Sequence, residues 1–587
     1  MRFDDILGEL GSFGPYQRRV YLAVCLMAAT TAFHSMTQVF IAGTTDHWCT
    51  AENWEDENCT EWNLSVEECE EAKKNGSIPV SYEDDGNLVY DQCYMYNITG
   101  VDFDPAYDSS MNGTAETLPC QDGWEHDKSQ LKSSIIQDWD LVCEKKNLPD
   151  YAQSVFYFGY MVGSIFFGVL ADKIGRYPTL FICLGVQAGV GVLVAFSPNY
   201  WVYIVLRFFQ AAGNKAVLQV AFIIGVEFVG PKWRTVAGIT IQIFFAFAYM
   251  LLAIIAYFVR YWRTLQLIIS APLFLFFLLM PFVPESARWL LSHGDSKKAE
   301  KIIHKVAKVN KRKLPDPLFT EEEIKEQEAV SLEPKAGIFD LFRTPVLRWR
   351  TINFIYNWMV NNMVYYGLTY STGDLGVNVY LNFFLSGAVE IVGYLCAIFA
   401  IESFGRRPSI ATFLFIGGSA CLINIGLPIG TWNTVVALTG KSSISASYAI
   451  VYVYSAECFP TPVRSIGVGT CSMMARVGAI ISPLILILGD YYYPAPLIIF
   501  GTTTILAGFL SFLLPETRGK KLPETVEEGE IFGTKVYDDK IAADEAKKKE
   551  RDDVTEIPLD DVTEIPLDDI NDGKAHTNEA FESDNRV

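Results

Sequence analysis

The sequence predicts an all-α membrane protein with twelve spans in two similar six-helix halves, and a large disulfide-bonded loop outside the membrane. Three observations support this prediction. The chain is 50% hydrophobic and 14% aromatic, which is typical of integral membrane proteins. A polar motif between apolar runs recurs in the second half of the chain. One long polar segment collects cysteines and glycosylation sequons.

The repeated motif is a glycine turn flanked by charged residues. ADKIGR at 171–176 recurs as IESFGRR at 401–407, a separation of 230 positions, as from 172 to 402. Two further pairs repeat at this spacing or one residue more: EFVGPKWR with ECFPTPVR, and PES with PET. Three landmarks in one order indicate a duplicated unit. Two mostly apolar units in parallel orientation are typical of the major facilitator fold.

The charged residues of these motifs are expected to cap and pair helix ends on one membrane face and to latch that face when it closes. For a single copy, a short cytosolic loop that collects basic residues is an equal explanation. Repetition at a fixed spacing favours the latch. The predicted gating residues are Asp172, Gly175, Arg176, Glu227, Arg234, Glu285, Arg288, Glu402, Gly405, Arg406, Glu457, Arg464 and Glu516.

The net charge of −21 is unevenly distributed along the chain. Acidic residues concentrate in the hydrophilic segments 44–150 and 516–587, whereas the short loops carry the basic residues. Because there is no basic patch with interleaved aromatic residues, a nucleic-acid partner is excluded.

The first apolar run, Val20 to about Ala42, is long enough to span a membrane. It has no clear small-residue cleavage site, so we interpret it as the first helix rather than a signal peptide. Arg18 and Arg19 precede it, which places the N terminus in the cytosol and the following segment outside.

That following segment, 43–150, has the composition of an extracellular loop. Six of the 12 cysteines lie in it and predict three disulfides, with 15 connectivities left open. They are Cys49, Cys59, Cys69, Cys93, Cys120 and Cys143. Glycosylation sequons begin at Asn58, Asn63, Asn75, Asn97 and Asn112. The other six cysteines are expected to be small buried hydrophobic residues.

The remaining apolar runs complete two halves. The spans are expected at 151–171, 178–197, 201–228, 236–258, 263–283, 351–371, 377–401, 408–429, 433–457, 465–487 and 493–514. The predicted domains are an N-terminal half (1–283), a cytosolic linker (284–350), a C-terminal half (351–515) and a disordered acidic cytosolic tail (516–587). The tail contains a tandem repeat at 552–569 that we interpret as a duplication in a solvated segment.

Three charged residues lie near the centres of predicted spans without charged counterparts in the other half: Lys215, Glu390 and Arg476. A charge at the membrane centre costs about 2.5 to 3.5 kcal/mol on insertion scales and faces a bundle interior or a wet cavity. Two positive charges against one negative favour an anion or a zwitterion, whose carboxylate can meet Arg476. The cationic group of such a zwitterion can bind to Glu390 and to the faces of aromatic side chains. The alternative is an internal ion pair plus one spare charge.

Polar and aromatic neighbours at helical spacing extend this candidate site, although each alone is better explained by helix packing than by ligand contact. They are Gln219, Gln242, Asn361, Tyr365, Tyr366, Tyr394 and Ser472. We interpret Lys441, nearer the outer end of its span, as a residue that snorkels. His34 is interpreted as a hydrogen-bonded core histidine.

The motifs of metal, nucleotide and nucleophile-dependent enzymes do not occur in the chain, so neither a catalytic activity nor a cofactor is expected. The expected partners are a small organic ion and the lipid bilayer. Coupling to an inorganic ion, exchange and transport driven by the membrane potential are alternatives.

Over Met1–Glu528 the chain resembles solute carrier family 22, the organic cation, anion and carnitine transporters. LGSFGPYQRR, DWDLVC, PESARWL, VYVYSAECFPTPVR and the six-cysteine loop carry the resemblance. It implies a plasma-membrane carrier that moves organic cations or carnitine-like zwitterions by alternating access. Arg476 is similar to the arginine of the anion and carnitine branches, where cation carriers tend to have Asp. Lys215 is similar to a lysine of the cation carriers, and Tyr394 stands where anion carriers often have Lys.

Three alternatives remain. The first is an organic anion transporter of the same family. The second is a non-transporting membrane glycoprotein that serves as a receptor or scaffold. The third, a sugar carrier of the same fold, is disfavoured because a neutral substrate does not need the three membrane charges.

Overall fold

A computed structural model of the protein describes residues 3–51, 54, 65–82, 88–98, 116–314, 318, 337–371, 378–428 and 430–543. Residues Met1–Phe532 form one compact unit, which contains the membrane helices, and Gly533–Val587 form a second. The repeat at 552–569 and three of the sequon asparagines, Asn58, Asn63 and Asn112, lie outside the described residues.

Twelve helices build the membrane part of the first unit within the described residues. They are α1 (Pro15–Met36), α2 (Leu148–Ile174), α3 (Arg176–Ala195), α4 (Tyr200–Glu227), α5 (Arg234–Phe258), α6 (Trp262–Ser270), α7 (Pro345–Tyr370), α8 (Val379–Phe404), α9 (Arg406–Asn424), α10 (Thr431–Cys458), α11 (Arg464–Ile487) and α12 (Ala495–Ser511). Eight of them, with their short extensions, are long and apolar enough to cross a membrane.

The helices that do not meet this criterion are α7, α9, α10 and α12. Helix α12 has only 17 residues. Helices α7 and α10 carry many polar side chains that are buried inside the protein, among them Asn353, Asn357, Ser445 and Ser447. These polar groups face other helices rather than lipid. The low mean hydropathy of α7 and α10 therefore reflects packing between helices. Apolar side chains such as Phe166, Leu275 and Phe399 are exposed on the outside of the bundle, as a lipid-facing surface requires.

The sixth predicted span differs from the structure in its second half. The α-helix ends at Ser270 and continues as a 3-10 helix over Ala271–Phe282. Pro272 and Pro281 lie in this stretch. Proline cannot donate the backbone bond that continues an α-helix, which explains the change.

Helices α1–α6 form the N-terminal half and α7–α12 the C-terminal half. The halves pack against each other through two helix pairs, α2 with α11 and α5 with α8. At Gly387 of α8 the approach is so close that an added Cβ would lie 2.6 Å from the side chain of Met250 and 2.8 Å from that of Tyr249. A side chain at this position would therefore push the halves apart.

The two repeated glycine turns have one shared conformation. Gly175 and Gly405 adopt φ values of 104° and 97°. Residues that carry a Cβ atom rarely adopt such values, because the Cβ would clash with the backbone. The next helix begins directly afterwards, and a glutamate caps its free amides. Glu285 accepts from the backbone N–H of Arg176 at 2.9 Å, and Glu516 accepts from that of Arg406 at 2.9 Å. Each half is thus closed by the same capped turn.

Short helices cover the side of the molecule opposite the large loop. Ala287–Ser292 and Ser296–Asn310 follow α6, and Asn310 donates to the side chain of Gln17 at 2.7 Å. The remaining short elements are helices at Phe3–Glu9, Gln38–Ile41 and Val526–Ile531, and 3-10 helices at Pro231–Trp233, Ile338–Phe342 and Leu488–Asp490.

The C-terminal segment folds further than the sequence indicated. Glu516 caps α9, and Glu530 accepts from the backbone N–H of Leu347 at the start of α7 at 2.9 Å. The prediction that disorder begins at 516 is therefore wrong for residues 516–532, which belong to the compact unit.

The large loop contains three antiparallel strand pairs. The strands are β1 (His47–Cys49), β2 (Val80–Tyr82), β3 (Leu88–Tyr90), β4 (Tyr94–Tyr96), β5 (Thr117–Pro119) and β6 (Trp124–His126). They pair as β1 with β6, β2 with β3 and β4 with β5. The helices of the loop are Val66–Ser77, Ile135–Asp138 and the 3-10 turn Cys143–Lys145.

Disulfides hold this loop together. Cys49 is bonded to Cys120 and Cys93 to Cys143. Cys69 is also disulfide-bonded, whereas Cys59 lies outside the described residues.

Two of the predicted sequon asparagines, Asn75 and Asn97, are described and exposed. The other six cysteines are free. Five of them are buried, as the sequence indicated, but Cys396 is exposed on α8.

The capped turns generate a prediction about stability. Gly405→Ala should lower the free energy of unfolding by about 1–2 kcal/mol, because alanine disfavours positive φ, and its Cβ would lie 2.8 Å from the Glu516 carboxylate. The thermal midpoint of the detergent-purified protein should fall accordingly. In Gly189→Ala the added Cβ meets nothing within 4 Å, and the midpoint should be unchanged or higher. Equal midpoints for the two variants would contradict the account.

Candidate functional site

The structure brings two positive charges together between the halves. Lys215 lies in the middle of α4 and is half-buried, and Arg476 of α11 is 6% exposed. The guanidinium of Arg476 donates to the backbone oxygen and the hydroxyl of Ser472, one turn earlier. Nζ of Lys215 lies 5.9 Å from the ring centre of Tyr160 on α2. Among the described residues, neither Lys215 nor Arg476 has a carboxylate at ion-pair distance.

The third predicted charge, Glu390, has its own partner in the C-terminal half. Its side chain is fully buried, and its carboxylate lies 3.4 Å from Nζ of Lys441 on α10. Lys441 also donates to the hydroxyl of Tyr249 at 2.9 Å, which joins the C-terminal half to α5 of the N-terminal half.

The interpretation of Lys441 as a snorkelling residue is therefore wrong. Its side chain is 1% exposed, because the carboxylate of Glu390 and the ring of Tyr249 hold it inside the protein. A lysine paired in this way has no need to reach the membrane interface.

Aromatic side chains connect the two charged groups. Tyr366 packs on Tyr157 with ring centroids 4.4 Å apart, and Tyr365 stacks on Tyr448 at 6.3 Å. Nζ of Lys441 lies 5.6 Å from the ring centre of Tyr365. The wall between the Glu390–Lys441 pair and Arg476 therefore consists of tyrosine faces.

Between these charged residues and the large loop, hydrogen bonds join the two halves. Tyr370 of α7 accepts a hydrogen bond from Gln153 of α2 at 2.6 Å, shares one with Tyr157, and donates to the backbone oxygen of Ser35 at 3.2 Å. Further out, Lys146 pairs with Asp490 at 3.3 Å. These contacts join the two halves on the loop side.

On the opposite side, the predicted site residues are partly accessible. Gln219 of α4, Gln242 of α5, Tyr366 of α7 and Ser472 of α11 are half-buried, like Lys215. These residues come from α4 and α5 of the N-terminal half and from α7 and α11 of the C-terminal half, so the candidate site draws on both halves.

Three predicted site residues lie inside the C-terminal half instead. Tyr365 and Tyr394 are 7% and 2% exposed. Asn361 is fully buried, accepts from Ser447 and donates to the backbone oxygen of Asn357 at 2.8 Å. Both ends of its amide are thus engaged in helix packing.

The sequence interpretation missed Arg207 on α4, which is 1% exposed. It donates to the backbone oxygen of His34 at 3.2 Å and to the side chains of Gln210 and Gln38 at 3.1 Å and 3.3 Å. The counterpart of Arg207 in the second half, at position 437, is alanine, so the comparison that found Lys215 could also have found Arg207. His34 is fully buried and bonds to Gln210 at 3.0 Å, as expected for a core histidine.

The gating motifs form equivalent charge clusters in the two halves. Arg176 pairs with Asp172 at 3.1 Å and with Glu227 at 3.8 Å. Arg406 binds Glu457 through two bonds of 3.0 Å and 2.9 Å. Each cluster joins helices of its own half, so the latch between halves that the sequence suggested stays a prediction.

The other predicted gating residues lie at the edges of these clusters. Arg464 donates to the backbone oxygen of Phe459 at 3.1 Å, whereas the side chains of Arg288 and Glu402 are exposed. Arg234 begins α5.

Comparison with known proteins agrees with this architecture. Residues 95–528 match the family described as "Sugar (and other) transporter". The chain is similar to the proton:xylose symporter XylE, with a TM-score of 0.57 at 15% identity, over 86% of this chain and 98% of that one. This likeness shows the fold alone.

Relatives are similar over nearly the whole length. An organic cation transporter protein of Drosophila melanogaster is 39% identical, over 91% of this chain and 96% of its own. The mouse organic cation/carnitine transporter 2 and human solute carrier family 22 member 13 are both 36% identical, over 90% of this chain and 93% of theirs.

The fold and the family match over most of the chain define a membrane solute carrier of the major facilitator type. Within that class the chain belongs to solute carrier family 22.

The buried ion pair generates a prediction about stability. Lys441→Met should lower the free energy of unfolding by about 3–5 kcal/mol, because it leaves Glu390 charged and buried without its partner. Adding Glu390→Gln should recover most of the loss. Thermal unfolding of the detergent-purified protein measures both changes.

The matched control is an exposed pair, Lys298 with Asp295, which lie 2.6 Å apart. Lys298→Met should leave the thermal midpoint unchanged, because exposed ion pairs contribute little. If Lys441→Met behaved like this control, Glu390 and Lys441 would not form a buried pair.

Proposed function

We propose that the chain transports organic cations and carnitine-like zwitterions across the plasma membrane by alternating access. The observation that carries the proposal is the charge of the pocket. Lys215 and Arg476 lack carboxylate partners among the described residues, while the charge of Glu390 is balanced by Lys441 at 3.4 Å. Relatives with 39% and 36% identity, named for transport of organic cations and of carnitine, support the substrate class.

A zwitterion fits the pocket through both of its charged ends. Its carboxylate can accept two parallel hydrogen bonds from the guanidinium of Arg476, with Lys215 adding a second positive charge. Its quaternary ammonium group cannot donate a hydrogen bond and is bound best by aromatic faces. Tyr366 and Tyr448, beside Arg476, supply such faces.

A simple organic cation, which has no carboxylate, requires a different balance of charges in the site. The aromatic faces are the same, but Arg476 and Lys215 then repel the ligand. Glu390 can offset this repulsion only if its contact with Lys441 loosens. The proposed site therefore favours the zwitterion over a cation without a carboxylate.

In the proposed transport cycle, the site is closed alternately on the side of the large loop and on the opposite side of the membrane. Tyr370 and its partners join the two halves on the side of the large loop, and in this proposal they close the site on that side. The charge clusters at Arg176 and Arg406 hold each half together on the other side. Each half can then rock as one body around the central site. The large loop is placed outside the cell and both termini in the cytosol, which agrees with the basic residues of the short loops.

An organic anion is the second candidate substrate, because the unpaired charges of the pocket are positive. A receptor or scaffold that does not transport is the alternative from another class. Flux measurements separate these proposals, since an anion carrier would accept carboxylates without an ammonium group and a scaffold would move none of the three classes.

Substitution of Arg476 tests the carboxylate contact. Arg476→Gln should weaken the apparent affinity for labelled carnitine about 10–100-fold, because a charge-assisted hydrogen bond contributes about 1.5–3 kcal/mol. Labelled tetraethylammonium, which has no carboxylate, should bind as well as before or better. Uptake into cells that express the full chain measures both.

Arg348→Gln is the matched control, because Arg348 is exposed at the start of α7. It should leave both uptakes unchanged. Equal losses of carnitine and tetraethylammonium uptake in Arg476→Gln would show that Arg476 serves the fold rather than the carboxylate.

Substitution of Tyr370 tests the closure toward the loop. Tyr370→Phe removes the hydroxyl that bonds to Gln153, Tyr157 and Ser35, and should shift the protein toward the state open on the loop side. A cysteine introduced at Ser472 should then react faster with a membrane-impermeant thiol reagent added outside the cell. Tyr491→Phe, at an exposed tyrosine, is the control. An unchanged labelling rate in Tyr370→Phe would contradict the gate.

A further inference from the structure

Two histidines are neighbours on paired strands of the large loop, away from the proposed transport site. His47 on β1 and His126 on β6 are direct partners in the strand pairing. Their ring centroids are 5.6 Å apart, and the rings are tilted by 38°. The His126 side chain is 5% exposed.

Hydrogen bonds fix which nitrogen of each ring carries the proton. Nδ1 of His47 lies 3.1 Å from the backbone oxygen of Thr45, which can only accept, so Nδ1 is the donor. Nε2 of His126 lies 3.3 Å from the carboxylate of Asp140 and donates to it. In the neutral rings, Nε2 of His47 and Nδ1 of His126 therefore carry free lone pairs.

Both free nitrogens are buried, and neither has a hydrogen-bond partner among the described residues. A buried polar atom without a partner costs free energy, and two such atoms on neighbouring rings call for a shared ligand.

The surroundings of the pair match those of metal-binding histidines. Such a histidine usually donates its other ring N–H to a carboxylate or a backbone carbonyl, which orients the ring and raises the basicity of the ligating nitrogen. Asp140 serves His126 and Thr45 serves His47 in this way. A ring nitrogen of His47 also lies within 4.8 Å of the sulfurs of Cys93 and Cys143, but these are joined in a disulfide and offer no thiolate.

We propose that His47 and His126 bind a divalent transition-metal ion of the zinc class in the extracellular loop. Imidazole nitrogens suit Zn²⁺ and Cu²⁺, whereas Ca²⁺ and Mg²⁺ prefer oxygen ligands. The ion would join β1 to β6, and through Asp140 it would join them to the segment that leads into α2. Asp140 is a positioning residue and not a ligand.

Zinc binding to the full chain tests the proposal. The protein is purified in detergent without a histidine tag, and Zn²⁺ is titrated in competition with a chromophoric chelator. The parent should bind one equivalent that is lost in His47→Gln and in His126→Gln. Asp140→Asn should weaken binding about 10–100-fold without abolishing it. His293→Gln and His304→Gln, at histidines outside the loop, should bind zinc as the parent does.

Thermal unfolding separates loss of the site from loss of the fold. Without metal, the variants should unfold at the same temperature as the parent. Added Zn²⁺ should raise the midpoint of the parent and not that of His47→Gln or His126→Gln. If the two histidine variants retain the same zinc equivalent as the parent, or if His293→Gln loses it, the proposal is overturned. Transport is not needed for any of these measurements.

Discussion

The ion pair between Glu390 and Lys441 determines the charge of the whole pocket. Both side chains are almost completely buried, and their charges cancel within the C-terminal half. The proposed site is therefore positive, since among the described residues neither Lys215 nor Arg476 has a carboxylate at ion-pair distance. Removing one partner of a buried pair of this kind is costly, because it leaves the other charge buried without compensation. The hydroxyl of Tyr249 extends the same interaction to the other half.

The remaining architecture allows the pocket to change its open side. The glycine turns at Gly175 and Gly405, capped by Glu285 and Glu516, make each half a rigid body. The halves meet through α2 with α11 and α5 with α8, and the polar contacts around Tyr370 join them on the loop side. A small set of side-chain bonds, rather than the packed core of either half, thus separates the two states.

The sequence predicted features that depend on composition and repetition. The two halves, the turns at Gly175 and Gly405 and the cysteine-rich loop each leave a signal in the order of residues. The pairing of Lys441 with Glu390 left none, because the residues are on different helices and the contact depends on how α8 and α10 pack. The same limit applies to Asn361, whose amide is bonded inside the C-terminal half. The prolines of the sixth span were a local signal for the 3-10 helix that the interpretation overlooked.

The central claim is that the pocket selects a carboxylate through unopposed positive charge. The most direct measurement is competition against uptake of labelled carnitine by unlabelled carnitine and by its methyl ester, which keeps the quaternary ammonium group and loses the negative charge. The account predicts that the ester competes at least about tenfold less well, the equivalent of about 1.4 kcal/mol. If the ester competed as well as carnitine, the pocket would recognise the ammonium group alone, and the account of Arg476 and Lys215 would be wrong.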